Sequence, residues 1–121
     1  MGAARHNGTP GLTCPIQASM AMIGGKWKIL ILYHLLSRTR RFGELRRLIP
    51  GITQKMLTQQ LRELEDDAIL IRKVYPQVPP KVEYSLTPLG MNLKPVFAQL
   101  FLWGRSHMRA AAGKPGKIDK S

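Results

Sequence analysis

The chain has 121 residues, the length of one ordinary domain, and 44% of them are apolar, which suffices for a modest core. Nineteen Lys and Arg against seven Asp and Glu give a formal net charge of +12, which favours polyanionic partners such as DNA, RNA or an acidic membrane. The one cysteine, Cys14, and three scattered histidines exclude a disulfide framework and a cysteine-built zinc site, so we expect neither a metal nor a cofactor.

Residues 1–13 are polar and glycine-containing, and they predict a disordered arm without the apolar region of a signal peptide. The longest apolar run, Ile29–Leu36, is interrupted by His34 and is too short to cross a bilayer. We therefore expect a protein of the cytoplasm or nucleoid that has no membrane partner.

The first half of the chain predicts three helices. The first spans Pro15–Ile23, because proline suits the first turn of a helix and glycines follow Ile23. The second, Lys26–Leu36, is apolar on nearly all sides and is therefore expected to be the central buried helix. The third is short, Phe42–Ile49, and the side chains expected to face inward are Leu45, Leu48 and Ile49.

A fourth helix follows a sharp break in the chain. Pro50 and Gly51 end the third helix, and Thr53 can cap a new one that ends near Asp66 or Asp67. One apolar stripe runs along this helix and consists of Leu57, Leu61 and Leu64. A short helix, a tight turn and an amphipathic helix in this order predict a helix-turn-helix.

The polar face of the fourth helix suits the major groove of DNA. The second helix of a helix-turn-helix lies in that groove, where Gln pairs with adenine and Arg or Lys with guanine. The predicted DNA-binding residues of this helix are Thr53, Gln54, Lys55, Thr58, Gln59 and Arg62. Any helix on a protein surface has a polar outer face, so simple solvation is the alternative interpretation. The glutamines favour base reading, because solvated faces more often use Glu and Lys pairs.

A β-hairpin is predicted after the fourth helix. Ile69–Tyr75 is rich in β-branched residues, Lys81–Leu86 alternates, and the prolines between them stiffen the tip. Its position predicts a wing whose Lys73 and Lys81 reach DNA phosphates, although a plain core hairpin with solvated lysines has the same pattern. Among the arginines around the third helix we expect one or two phosphate contacts, and we assign Arg41 to the DNA-binding residues.

A long last helix is predicted from Pro88, with Thr87 as its N-cap, to about Met108, with a bend at Pro95. It carries two apolar stripes, and a single small domain has too little surface to cover both. A second copy is the simplest partner, so we predict a homodimer in which this helix contributes Leu93, Val96, Leu100 and Trp103. Residues 14–109 then form the domain, followed by a basic disordered tail over 110–121.

Several motifs in one order resemble a known family. They are Cys14-Pro15, Ile23-Gly24-Gly25-Lys26-Trp27, Arg41-Phe42-Gly43-Glu44-Leu45-Arg46, Ile52-Thr53-Gln54-Lys55-Met56-Leu57-Thr58, Arg62-Glu63-Leu64-Glu65, Val82-Glu83-Tyr84-Ser85-Leu86-Thr87 and Trp103-Gly104. Over residues 14–104 the chain resembles the HxlR family of bacterial winged helix-turn-helix regulators. The resemblance implies a mainly helical fold with a small β-hairpin and a C-terminal dimerisation helix. It also implies a homodimer, built from the first and last helices, that binds double-stranded DNA at an inverted-repeat operator.

Two interpretations of Cys14 remain open. The resemblance implies that some members sense electrophiles or oxidants through the matching cysteine. A cysteine before Pro15 also lies at a helix N-terminus, where the helix dipole favours the reactive thiolate. The alternative is a small buried residue that caps the first helix. The effector, if there is one, is not identified by the sequence.

The chain departs from the family pattern after the fourth helix. The family usually has glycine there, whereas this chain has Asp66-Asp67-Ala68. Glycine would serve a left-handed helix C-terminus, which alanine adopts at a cost of about 1 kcal/mol. We expect either a locally different turn or a strain that the fold absorbs.

Two other functions compete with a sequence-specific regulator. A non-sequence-specific architectural nucleic-acid-binding protein fits the composition, but the tight turn and the glutamine-rich face oppose it. An enzyme is disfavoured because the sequence has no Gly-rich phosphate loop, no paired His and acid and no metal-ligand cluster.

Overall fold

The computed structural model describes residues 14–112, with side chains to residue 109. It divides into two compact units, one ending at Met91 and the other beginning at Asn92. In the first unit the elements are α1 (Pro15–Ile23), α2 (Lys26–Ser37), β1 (Arg40–Arg41), α3 (Phe42–Leu48), α4 (Gln54–Asp66), β2 (Leu70–Tyr75), β3 (Lys81–Leu86) and α5 (Pro88–Met91). The second unit contains α6 (Lys94–Ala112). The expected mainly helical, winged helix-turn-helix fold is confirmed.

The core of the first unit lies among α2, α3, α4 and the sheet. Its buried side chains include Ile31, Leu32, Leu35, Leu45, Ile49, Leu57, Leu61, Leu64, Ile69, Leu70 and Tyr84. The predicted stripe of leucines on α4 is thus buried along its whole length, and truncating one of them to Ala costs about 2–5 kcal/mol. The inward position expected for Leu48 is wrong, because α3 ends there with the side chain 39% exposed. The inward positions expected for Leu45 and Ile49 are confirmed, although Ile49 lies at the C-cap and no longer has the helical conformation.

The turn between α3 and α4 needs a left-handed residue. Gly51 has φ +89°, a conformation that glycine adopts without the Cβ clash of other residues. Thr53 then caps α4 as predicted, since its Oγ1 accepts a hydrogen bond from the backbone N–H of Met56 at 3.1 Å. The turn and the cap together set the direction in which α4 leaves α3.

The C-terminal end of α4 is closed by a Schellman motif. Ala68 has φ +60°, its N–H donates to the carbonyl of Glu65 at 2.9 Å, and the N–H of Ile69 donates to the carbonyl of Leu64 at 3.0 Å. Leu64 and Ile69, which flank the motif, are both buried. Of the two expected outcomes, a different turn or a strain that the fold absorbs, the structure shows the second, because Ala68 is left-handed without the glycine that would favour it.

The sheet has three antiparallel strands in the order β1-β3-β2, one more than the predicted hairpin. The hairpin itself is confirmed, with Leu70 opposite Leu86 and Tyr75 opposite Lys81. The additional strand has two residues, too few to show an alternating pattern. It is defined by pairing with β3, where Arg41 lies opposite Glu83.

The prediction of one last helix is wrong. Thr87 caps a four-residue α5, because its Oγ1 accepts from the N–H of Gly90 at 3.1 Å, and helical structure stops at Met91. A new helix, α6, starts at Lys94, so Pro95 lies in its first turn, where no backbone N–H is required, and does not bend a helix interior. The helix continues to Ala112, past the expected end near Met108.

The predicted arm over residues 1–13 lies outside the described residues. The predicted disordered tail over residues 110–121 is wrong for residues 110–112, which belong to α6, and its remainder lies outside the described residues. Among the helices that the structure describes, none is long and apolar enough to cross a membrane.

Candidate nucleic-acid interface

The predicted base-reading side chains of α4 lie together. Five of them, which we call the reading face, line one open depression on the surface: Gln54, Lys55, Thr58, Gln59 and Arg62. All five are exposed, and Thr53, the sixth predicted residue of this helix, is exposed at its N-cap. The buried leucines hold the other side of α4, so the helix can present this face to a partner without unpacking.

Two residues of the reading face also bond within the protein. The hydroxyl of Thr58 donates to the carbonyl of Gln54 at 2.8 Å, as often happens when threonine lies inside a helix. The Nε2 of Gln59 lies 3.5 Å from the Oε2 of Glu63, one turn further along α4. These contacts limit which hydrogen-bonding groups the two residues can offer to another molecule.

Behind the reading face lies an ion pair that the sequence analysis missed. The Nζ of Lys28, on α2, is 2.7 Å from the Oε1 of Glu63 on α4, and Lys28 is only 6% exposed. A buried ammonium requires such a partner, because an unpaired charge in the core is strongly destabilising. A signal was present in the sequence, since Lys28 lies within the helix that was predicted to be buried.

The arginines before α3 have different environments. Arg40 is partly buried, and it donates to the carbonyl of His34 at 3.2 Å and to the Oγ of Ser37 at 3.0 Å, so it closes the end of α2. Burial is the main cause that lowers the pKa of His34, and the charge of Arg40 lowers it further. Arg41 is exposed, as phosphate contact would require.

Glu44 organises the start of α3. Its Oε1 accepts from the backbone N–H of Arg41 at 2.8 Å, and its Oε2 lies 3.1 Å from the guanidinium of Arg38. The hydrogen bond from Arg41 is the main reason why the pKa of Glu44 lies below its ordinary value, and the nearby arginines lower it further. Arg38 therefore has a partner within the protein.

The two predicted wing lysines lie on one face of the hairpin. The Nζ atoms of Lys73 and Lys81 are 4.9 and 4.6 Å from the ring centroid of Tyr75. Glu83 lies beside them, with Oε1 accepting from the Tyr75 hydroxyl at 2.9 Å and Oε2 3.4 Å from the Nζ of Lys81. The Tyr75 bond, with the charge of Lys81, holds the pKa of Glu83 below its ordinary value. Lys73 is exposed, whereas Lys81 is half-buried and partly neutralised by Glu83.

Most of the predicted dimerisation residues are exposed on α6. Val96, Leu100 and Trp103 are 55%, 48% and 67% exposed, while Leu93, just before the helix, is half-buried. The Trp103 ring stacks on the ring of His107 with centroids 5.5 Å apart. A helix that exposes this much apolar surface is typical of one that packs against another chain.

Cys14 is exposed at the N-cap of α1, directly before Pro15. Its thiol makes no capping hydrogen bond, and only its backbone carbonyl takes part, accepting from the N–H of Ala18 at 3.0 Å. The interpretation of Cys14 as a small buried capping residue is therefore wrong. Among the described residues no group of three or more His, Cys, Asp or Glu side chains could hold a metal ion.

The arrangement matches one family of regulators. The model of the HxlR-like helix-turn-helix family matches residues 22–112. The chain belongs to this family. A relative described as the uncharacterized HTH-type transcriptional regulator YybR, from Bacillus subtilis (strain 168), is 54% identical over 94 residues, which cover 78% of this chain and 75% of YybR. The resemblance inferred from the motifs is confirmed.

Solved structures agree with this assignment. The redox regulator HypR in its oxidized form is 55% identical, with a TM-score of 0.74 over 77% of this chain and 96% of that chain. Its reduced form is 50% identical, with a TM-score of 0.77 over 83% of this chain and 99% of that chain. The protein is a transcriptional regulator of the helix-turn-helix type, a class of DNA-binding proteins rather than of enzymes.

Proposed function

We propose that the protein binds an inverted-repeat operator as a homodimer, with α4 of each copy in the major groove. The observation that carries this proposal is the reading face, whose five exposed side chains lie on one side of a helix that is anchored by buried leucines on the other. Gln, Arg, Lys and Thr are the residue types that recognise base edges in that groove. The family membership supports the same placement of the second helix of the motif.

Arg41, Lys73 and Lys81 contact phosphates beside the groove. Arg41 and Lys73 are exposed, and both lie on the outer face of the sheet around Glu83, because Arg41 and Lys73 are each opposite Glu83 in the strand register. Such contacts strengthen binding to every sequence and make it salt-dependent. They position the dimer while α4 distinguishes sequences.

The homodimer forms through the apolar face of α6, with α1 also contacting the partner copy. Leu100 and Trp103 on α6 and Ile16 and Met20 on α1 are large apolar residues that are about half or more exposed. Symmetric pairing removes this surface from water on both copies at once. Two copies of α4 then lie about one helical turn of DNA apart, as an inverted repeat requires.

The experiment selects duplexes from a randomised pool with the purified full chain, and then measures affinities at fixed salt. A regulator prefers its selected duplex over random duplex by about 10³-fold or more. The triple variant Gln54→Ala, Gln59→Ala and Arg62→Ala loses this preference, whereas Lys73→Ala weakens selected and random duplexes alike. A wild type without preference supports an architectural binder instead, and an unchanged preference in the triple variant removes α4 as the reader.

Cys14 makes the regulator responsive to oxidants or electrophiles. The support is its exposed thiol at the start of α1 and the likeness to a protein described as a redox regulator. With one cysteine in the chain, the products are an adduct, a mixed disulfide with a small thiol, or a disulfide to Cys14 of the partner copy. Each product changes the dimer contacts of α1 and thereby the spacing of the two recognition helices.

The test treats wild type and Cys14→Ser with diamide or a quinone and measures affinity for the selected duplex. Treatment changes the affinity of the wild type and leaves Cys14→Ser unaffected. If modification of Cys14, followed by mass spectrometry, leaves the wild-type affinity unchanged, the cysteine is not the sensor, and the DNA-binding proposal stands.

A further inference from the structure

The carboxylate of Glu63 contacts two side chains of different character. Its Oε1 lies 2.7 Å from the Nζ of Lys28, and its Oε2 lies 3.5 Å from the Nε2 of Gln59. Lys28 is buried in the first unit, whereas Gln59 is exposed on the reading face. Glu63 therefore connects the core of the domain to a side chain that the proposed function places at a base edge.

This contact determines which way the Gln59 amide faces. An ionised carboxylate accepts hydrogen bonds and donates none, so Gln59 turns its NH₂ group toward Glu63. The reversed amide would place its oxygen against a carboxylate oxygen, and two acceptors repel each other. One N–H of Gln59 is thus held by the protein, and the amide oxygen, with the remaining N–H beside it, is left for DNA.

The group left on Gln59 matches bases that carry an exocyclic amino group. In the major groove adenine offers its N6 amino donor next to the N7 acceptor, and cytosine offers its N4 amino donor. Guanine offers only acceptors there, and thymine offers an acceptor and a methyl group. An amide oxygen facing either of them would meet an acceptor instead of a donor.

Glu63 is itself held in place by Lys28. The ammonium is 6% exposed, and the pair joins α2 to α4 at 2.7 Å. If the carboxylate rotated away, the buried Lys28 would lose this partner, which is strongly unfavourable. The buried ion pair between Lys28 and Glu63 therefore fixes the orientation of Gln59 through the carboxylate of Glu63.

The neighbouring Thr58 has the same polarity as Gln59. Its hydroxyl donates to the Gln54 carbonyl at 2.8 Å, so its oxygen lone pairs and its methyl group are what remain for a base. Lys55 and Arg62, about one turn before and one turn after Thr58, present donors only. The middle of the reading face therefore presents the Thr58 oxygen and the Gln59 amide oxygen, with one Gln59 N–H beside it, between two cations.

We propose that Glu63, held by Lys28, is a positioning residue for base recognition. It fixes the amide of Gln59 so that its oxygen accepts a hydrogen bond from the exocyclic amino group of the adenine or cytosine in one base pair. This inference rests on the proposed function, because it requires Gln59 to lie at a base edge.

The experiment measures base preference, position by position, on the duplex that the full-length wild type selects from a randomised pool. Gln59→Ala identifies the base pair that Gln59 reads. The double variant Lys28→Met with Glu63→Gln releases Gln59 while it removes both charges of the buried pair, so that no unpaired ammonium remains in the core. Glu65→Gln is the matched control, since it makes the same charge change at an exposed residue of α4.

At the base pair identified by Gln59→Ala, wild type prefers the selected pair over the same pair with its two bases exchanged between the strands by about three- to tenfold, the range for one hydrogen bond. The double variant accepts the exchanged pair nearly as well and keeps its preferences elsewhere, while Glu65→Gln behaves as wild type. Replacing the exocyclic amino group of that base by hydrogen lowers wild-type affinity by a similar factor and leaves Gln59→Ala unaffected.

A folded double variant with the wild-type preference at this position overturns the inference and leaves the proposed function standing. If Gln59→Ala alters the base preference at no position of the duplex, Gln59 does not read a base and the inference fails. The proposed function fails only if the triple variant of the reading face also keeps the wild-type preference. The duplex lacking the amino group needs no variant of the buried pair, so unchanged wild-type affinity for it refutes the inference even if the double variant does not fold.

Discussion

Replacing Ala68 with glycine is expected to stabilise the protein. Ala68 holds φ +60° at the end of α4, and a left-handed conformation costs an L-residue about 1–2 kcal/mol relative to glycine. About 0.4–1 kcal/mol of this gain is lost, because glycine gives the unfolded chain more conformational entropy than alanine does. The net gain is about 0.5–1 kcal/mol, and the Schellman hydrogen bonds, which involve only backbone atoms, are retained.

For a domain of this size such a gain raises the Tm by about 2–8 °C. The assay is thermal unfolding of wild type and Ala68→Gly followed by circular dichroism at one protein concentration, because dimerisation makes Tm depend on concentration. Ala98→Gly is the matched control, since Ala98 is exposed inside α6. There the same substitution lowers stability by about 0.5–1 kcal/mol.

The opposite signs of the two substitutions are the informative result. If Ala68→Gly lowers the Tm as Ala98→Gly does, Ala68 is not held in a strained left-handed conformation and the account of the α4 terminus is wrong. A gain much above about 2 kcal/mol would also contradict it, because a single left-handed residue stores no more than that.

Three further expectations concern assembly, DNA affinity and acid stability. Leu100→Asp on α6 shifts the dimer toward monomer in light scattering and weakens operator binding in parallel; a variant that stays dimeric at micromolar concentration excludes Leu100 from the interface. Glu83→Gln removes the negative charge that neutralises Lys81, so the affinity for every duplex rises and the slope of log K against log salt steepens by up to about 1. An unchanged slope means that Lys81 contacts no phosphate. The hydrogen bond from the Arg41 N–H lowers the pKa of Glu44 in the folded protein below its value in the unfolded chain. Glu44 therefore stabilises the fold fully above the unfolded pKa, and this stabilisation is lost as the pH falls through the folded pKa. The stability difference between wild type and Glu44→Gln in denaturant titrations accordingly shrinks from pH 7 to pH 3, and a constant difference refutes the assignment.

The local elements could be predicted because their signals lie within a few residues of one another. Pro15 at a helix start, the Thr53 cap and the prolines of the hairpin tip each act on their own backbone. The leucines of α4 repeat with the helical period and therefore mark its buried face, which leaves the reading face as the remainder. Helix bounds, the turn and the candidate base-reading residues follow from such patterns.

The break at the end of the first unit shows where local patterns mislead. The two apolar stripes suggested one continuous helix with a bend at Pro95, because periodicity continues across residues 92 and 93. Proline is compatible with the first turn of a helix as well as with a kink, so the residue type did not distinguish the two structures. Leu48 was misplaced for a similar reason, since the last residue of a short helix has no following turn to define its face.

The sequence alone was sufficient for the first four helices, the hairpin and the buried leucine stripe of α4, whereas it left the turn at Ala68 undecided. The tertiary structure decided the contacts between distant segments. Lys28 and Glu63 are 35 positions apart in the chain (63 − 28), and the β1 pairing of Arg41 with Glu83 spans 42 (83 − 41). No periodicity or spacing in the sequence predicts that the two residues of either pair are in contact, because such contacts form only when packing brings distant segments together. They nevertheless set the orientation of Gln59 and the charge around the wing lysines, so the finer chemistry of the interface depends on the fold as a whole.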